Sequence, residues 1–222
     1  MKKFLWLLLF ILCLIIPFSA CKKQEKTLEP YLTELRSDSF YGQSQNFTIK
    51  AGYGFSYIPT NDGKDTVKQY ALTLKLTDGY EHDVSYTISF SFKDKTYSSK
   101  LTLNPVTHSL TTKINVEDFN LKEFTVQISS ASNSESAILK STVPDGTISY
   151  LTALKYLEKN QAELISSYRD KSGNFTADIC ARVVVKDDKA YWYIGLSDKT
   201  GDLKALLLDG KTGEVLAIRE VF

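Results

Sequence analysis

The sequence predicts a mainly β protein that finishes as α+β: an antiparallel β-sandwich, then one helix packed on a four-stranded antiparallel sheet. Three observations predict it. From Asn46 to Val143 apolar residues recur at alternate positions, the period of strands with one buried and one wet face. Leu151, Leu154, Leu157, Leu164, Ile165 and Tyr168 then form a stripe at helical spacing. Four further apolar runs follow, separated by turns rich in Asp and Gly.

The 222 residues are 43% apolar and 24% charged, a globular composition. The 27 basic and 26 acidic side chains give a net charge of +1. That balance excludes a nucleic-acid partner held by phosphate neutralisation. Two His and three Cys leave little material for a soft-ligand metal site. No metal and no cofactor is expected.

Met1-Lys2-Lys3 is a short basic start, and Phe4 to Ile16 is an unbroken apolar run of 13 residues. A membrane-spanning helix needs about 20, whereas a secretory h-region is this short. Ser19 and Ala20 are small and stand immediately before Cys21. Residues 1–20 resemble a bacterial lipoprotein signal, with Phe18 in place of the usual Leu of the lipobox. The resemblance implies cleavage before Cys21 and a diacylglyceryl group on its sulfur. The competing reading is an ordinary secretory signal cut after Ala20. More than one acyl chain is needed for stable membrane residence, and Lys22, Lys23 and Lys26 add attraction to anionic lipid. The expected location is therefore extracytoplasmic, lipid-anchored at the bacterial cell membrane. Residues 21–30 are read as the lipidated tether. Cys13 leaves with the signal, so Cys180 is the remaining thiol and no disulfide is expected within the chain.

Residues 31–143 are read as the sandwich. Tyr31 to Arg36 starts it as a strand or a short helical turn. The runs that follow are Phe47 and Ile49, then Tyr70 to Leu76, then Val84 to Phe92. Leu101 and Leu103, Leu110 to Val116, Phe124 to Ile128, and Ala137 to Val143 continue the pattern. Asn61-Asp62-Gly63, Asp78-Gly79, Asp94-Lys95, Asn104-Pro105 and Asp118-Phe119-Asn120 are the turns between them. Seven or eight short strands at this spacing resemble an immunoglobulin-like domain in pattern, without its paired Cys and central Trp. That resemblance is architectural and implies no function.

Val143-Pro144-Asp145-Gly146 interrupts the alternation and marks a boundary. Residues 147–222 form the second unit. Thr147 or Ser149 caps the helix, and Ser172-Gly173-Asn174 ends it. Strands are expected near Phe175–Lys186, Lys189–Ser197, Leu203–Leu208 and Val215–Val221. Tyr191-Trp192-Tyr193-Ile194-Gly195-Leu196 is followed by Leu206-Leu207-Leu208-Asp209-Gly210-Lys211-Thr212-Gly213-Glu214-Val215-Leu216. This apolar strand, Asp turn, Thr-Gly-Glu and apolar strand resemble the ending of a PepSY domain. The resemblance implies a non-catalytic extracytoplasmic module that restrains or modulates a peptidase, or senses at the envelope.

Candidate sites were weighed against plain structural roles. Cys180 with His82 or His108 lacks a placed base. The Asp-rich turns lack the spacing of a calcium loop and carry Lys. Glu117-Asp118 and Glu81/Asp83 sit in loops, where solvated charge is expected rather than a glycosidase pair. No phosphate loop, nucleophile elbow or His-Glu-x-x-His motif occurs. A non-enzymatic protein is expected.

Two surfaces remain. The last four strands are apolar at consecutive positions, so both faces of their sheet are expected to be covered. The cover is the sandwich, a second copy or a separate envelope protein. Tyr191, Tyr193, Leu206 and Leu208 are the candidate partner-binding residues. Tyr53, Phe55 and Tyr57 alternate along one strand and are the candidates for a small ligand or wall glycan. The leading expectation is a protein-binding or regulatory module; the alternative is a ligand or glycan binder. The anchor itself is testable: Cys21→Ser is expected to leave the membrane fraction, and a variant still wholly in the detergent phase would overturn lipidation.

Overall fold

The computed structural model describes residues 27–60, 65–81, 83–198 and 200–221. Residues 1–26, which include the segment read as a signal, Cys21 and the basic residues after it, lie outside them. Leu28 is in the core at 1% exposed, and its backbone N–H donates to Glu158 at 2.6 Å. So the chain is already pinned two residues into the described part, inside the segment read as a tether. A 3₁₀ turn, Glu29–Tyr31, follows.

Nine strands come next: β1 Leu32–Gln43, β2 Thr48–Pro59, β3 Thr66–Asp78, β4 Thr87–Phe92, β5 Lys95–Lys100, β6 Thr102–Asn104, β7 Ser109–Asn115, β8 Glu123–Ser129 and β9 Ser134–Ser141. The alternating apolar positions are the buried ones: Ile49, Ala51, Tyr53 and Phe55 in β2, and Leu72, Leu74 and Leu76 in β3. Lys93 and Asp94 both have positive φ, which gives the two-residue turn that matches strand twist. The turn between β4 and β5 therefore sits one residue earlier than the sequence suggested.

These strands are not two separate layers. They are hydrogen-bonded in the order β5-β4-β8-β9-β1-β2-β3-β7-β6. β9 pairs with β8 on one side and, at Phe40↔Ser141 and Tyr41↔Lys140, with β1 on the other. The sheet curls until Ser99 of β5 meets Thr112 of β7 at 2.7 Å, so the nine strands come close to a barrel. Alternation marks which face of a strand is buried but not which strand lies beside it, so the mainly β, antiparallel character was legible and the near-barrel strand order was not. Phe119 plugs the interior from the 116–122 loop. Its ring lies within 6.0 Å, centroid to centroid, of Phe40, Tyr53, Phe90, Phe92 and Phe124.

Helices α1 (Tyr150–Asn160) and α2 (Ala162–Ser167) and strands β10 (Asp178–Lys186), β11 (Lys189–Ser197), β12 (Leu203–Asp209) and β13 (Val215–Val221) complete the fold. The Ser149 hydroxyl accepts from Thr152 N–H and caps α1. The expected single helix breaks at Gln161, which leaves the helical region at φ −127° and ψ 40°. Ala162 is the sole apolar residue between Leu157 and Leu164, so little draws that turn onto the sheet. Ala153, Leu154, Leu157 and Ile165 pack onto Ile179, Trp192, Ile194, Leu206 and Leu208. At Gly213, φ is +72° and the missing Cβ leaves room for the Tyr156 ring of α1.

The β10–β13 meander is not a sheet of its own. β1 adds to it in parallel, with Leu32↔Ile179, Leu35↔Ala181 and Arg36↔Arg182. One 13-stranded sheet runs through the molecule. The 142–149 link is stitched to both ends. Thr142 N–H and Oγ1 donate to Ser39 O at 2.8 and 3.1 Å, and Trp192 Nε1 donates to Ile148 O at 2.9 Å.

β1 bends where its register slips between Arg36 and Asp38. There its backbone closes on β2, and a Cβ at Gly54 would run into the Leu35 carbonyl and Arg36 Cα. A Cβ at Gly52 would meet nothing nearer than Asp38 O at 3.6 Å. Gly54→Ala is therefore expected to cost about 2 kcal/mol, the scale of overpacking against unyielding backbone. Gly52→Ala is expected to stay within about 0.5 kcal/mol of the parent, as an unobstructed surface change. Urea midpoints of the two variants test this, and equal losses would refute the close approach.

Candidate functional site

Inside the near-barrel and under the helices the sheet has one continuous buried face. The opposite, outer face is where side chains meet solvent. On β2 it carries Lys50, Gly52, Gly54 and Ser56, alternating with the core residues. In register beside them, β3 places Lys75, Thr73, Ala71 and Gln69. β1 places Ser39 against Gly52, Arg36 against Gly54 and Glu34 against Ser56. β7 sets Lys113 beside Thr73, and β10 sets Arg182 beside Arg36.

These neighbours make a groove of about 390 Å³. Its floor is small: Gly52, Gly54, Ala71 and Ser39. Long cations stand around it. Lys50 and Lys75 are directly opposed across β2 and β3 at one end. Arg36 and Arg182 are neighbours across β1 and β10 at the other. Lys113 flanks the middle, where its Nζ donates to Ser56 Oγ at 3.3 Å. Two acids border the groove, and both are engaged. Glu34 holds Arg36 Nε at 2.9 Å, and Asp38 accepts from Ser141 Oγ at 3.3 Å. No described acid pairs with Lys50, Lys75, Lys113 or Arg182. Chemically, the arrangement can hold negative charge. None of these residues was singled out by sequence. The available signal was the wet half of the alternation, where Lys and Gly occupy β2 together.

The open face continues over β10–β12. Arg182 Cζ lies 4.3 Å from the Tyr193 ring centroid, a cation–π contact on the surface. Val184 is 39% exposed, and Tyr191, Tyr193 and Leu207 are half-buried. The near-barrel joins this sheet edge to edge through β1, and Val184 on this face is 39% exposed, so of the three covers the sequence left open, the N-terminal unit is not over it among the described residues.

The sequence-selected residues divide. Leu206 and Leu208 are fully buried beneath the helices and cannot meet a partner; Leu206→Asp would place a charge in the core. Tyr191 and Tyr193 do reach the open face. Tyr53 is a barrel-core residue whose hydroxyl accepts from Phe119 N–H at 3.2 Å. Phe55 is buried on the helix side, with Lys68 Nζ 3.9 Å from its centroid. Tyr57 is exposed, so the three do not form one aromatic platform. His82 lies outside the described residues. His108 sits in the β6–β7 turn, with β1, β2 and β3 between it and Cys180 of β10; at about 4.8 Å per strand they do not meet. Cys180 covers the bare face of Gly195. The Asp turns spend their carboxylates on backbone. Asp209 Oδ1 accepts from Lys211 and Thr212 N–H at 2.8 Å each, and Asp198 Oδ1 from Thr200 and Asp202 N–H.

Burial raises the Asp38 carboxyl above its usual range, against the opposing pull of Lys122 and of Ser141. A raised native value means that stability falls as pH climbs from the unfolded carboxylate value, about 3.9, through the native one. Asp38→Asn keeps an acceptor for Ser141 and removes the charge. It is expected to be more stable than the parent at pH 7, with the advantage gone by about pH 4. Thermal melts across that window test it, and a variant equally destabilised at both pH values would refute it. No family model, curated protein or solved structure matches the chain.

Proposed function

We propose that this chain is a lipid-anchored, extracytoplasmic binding module, non-catalytic, that holds an envelope protein partner on the outer face of β10–β12. The anchor is Cys21, on the lipobox pattern that precedes it. The C-terminal unit is read as PepSY-like and its role as regulatory, modulating a peptidase or sensing at the envelope. The reading of the C-terminal strands as one helix-covered four-stranded unit, and of the N-terminal strands as immunoglobulin-like, belongs to the same proposal.

One observation carries the reading. The helices cover a single face of the C-terminal sheet, and the other face presents Tyr193 stacked under Arg182, with Tyr191, Val184 and Leu207 beside it. Tyrosine rings and an arginine plane suit a surface that is wet alone and dry in a complex. Arg182, with no acid paired to it among the described residues, makes the same face cationic, which favours a partner with an acidic rim. A second reading, a small-ligand binder built on the N-terminal strands, is favoured by the groove rather than by Tyr53 or Phe55.

The test is crosslinking of the anchored protein in intact cells. Tyr193→Asp and Tyr191→Asp are each expected to reduce the crosslinked partner at least tenfold, with thermal stability within a few degrees of the parent. A partner retained in full by both variants would sink the proposal.

A further inference from the structure

We propose that the groove between β1, β2, β3 and β7 is a binding site for a small polyanion with two separated anionic groups, phosphate or carboxylate. The first support is like-charge crowding. Directly opposed like charges on neighbouring strands destabilise a sheet, and this groove has such a pair at each end: Lys50 with Lys75, and Arg36 with Arg182. Two other surface cations on paired strands are matched, Lys140 with Glu123 at 3.1 Å and Lys204 with Glu220 at 3.1 Å, while Lys186 and Lys189 face each other only where β10 turns into β11. Arg36 is held by Glu34 at 2.9 Å; an anion between the two ends relieves the Lys50–Lys75 pair and meets the charge of Arg182.

The second support is shape. Gly54, which faces Arg36, lies four positions beyond Lys50, so the two pairs stand about 13 Å apart along the strand. Between them the floor lacks side chains that would fill the space. Gly52 has room above it that a Cβ would enter without obstruction. The volume, about 390 Å³, falls in the range of small-molecule sites. The third support is donor chemistry. Arg36 and Arg182 offer planar forks, Lys50, Lys75 and Lys113 offer point charges, and Ser39 and Thr73 stand on the floor with hydroxyls. Charge-assisted bonds of this kind are the strong ones for phosphate and carboxylate. The inference goes beyond the partner face and survives its failure, because none of its variants alters Tyr191 or Tyr193.

The experiment is calorimetric titration of the purified chain at fixed ionic strength with tripolyphosphate, fructose 1,6-bisphosphate and inorganic phosphate. At least one two-headed anion is expected to bind tenfold or more tightly than inorganic phosphate. Gly52→Leu, which keeps every charge and fills the floor, is expected to weaken that binding at least tenfold. Lys75→Gln and Lys113→Gln are each expected to weaken it several-fold and to flatten its salt dependence. Absence of saturable binding by either two-headed anion would overturn the proposal. So would equal binding of inorganic phosphate, or full retention by a folded Gly52→Leu. Binding to anionic lipid vesicles that Gly52→Leu leaves unchanged would assign the cations to a membrane surface and overturn it as well.

Discussion

One edge of β1 is taken by β2 from Glu34 to Gln43, and the other edge is divided. Its first part pairs in parallel with β10, and its last part pairs antiparallel with β9. A strand has only two edges, so serving three neighbours means that one edge is shared along its length. The register slip against β2 between Arg36 and Asp38 falls where that shared edge passes from β10 to β9. Everything else hangs on this division. It turns a near-barrel and a helix-covered meander into one sheet with one buried side. It draws the backbone so close to β2 that Gly54 has no room for a side chain. It also places Asp38 at the parting of β9 and β10, where burial raises its carboxyl and Ser141 holds it.

The same division shapes the outer face. Because β1 runs on from the barrel into the meander, cations that begin in separate parts of the chain arrive side by side. Arg36 and Arg182 are 146 residues apart in sequence and adjacent in register. Near-neutral net charge hides this. Asp198 and Asp209 bind backbone in turns, while Arg36, Lys50, Lys75, Lys113 and Arg182 line one groove. Electrostatic steering follows from local charge of this kind rather than from the total.

Much of the fold was legible. The alternation in β2, β3, β4 and β8 named the buried residues because a half-buried strand has a period of two. The Ser149 cap, the Leu154–Leu157 stripe and the Asp187-Asp188 turn were legible for equally local reasons, the last two residues both having positive φ. The joining of the strands was not. Pairing of Leu32 with Ile179 leaves no trace in the pattern of either segment. Apolar runs such as Leu206-Leu207-Leu208 said that both faces were dry, yet only Leu206 and Leu208 are fully buried. The middle residue is half-covered by its neighbours on the open face. The groove was invisible for a related reason. Lys50, Lys75 and Lys113 each occupy an ordinary wet position, and only the register sets them around Gly52. Aromatic alternation at Tyr53 and Phe55 pointed to binding but serves the core, since the strand buries that face.

The parallel pairing of β1 with β10 also bears on how the chain reaches its native state. β2 follows β1 within a few residues, so that edge can close early. The other edge must wait for a partner that begins at Asp178. Contacts that far apart carry a large loop-closure cost and slow the search for the native arrangement. A chain made from its N-terminus onward presents the free edge of Leu32–Arg36 throughout that interval. Its unpaired N–H and C=O groups are a template for any extended strand, so the earliest strand of the sheet is also the one longest at risk of joining the wrong molecule.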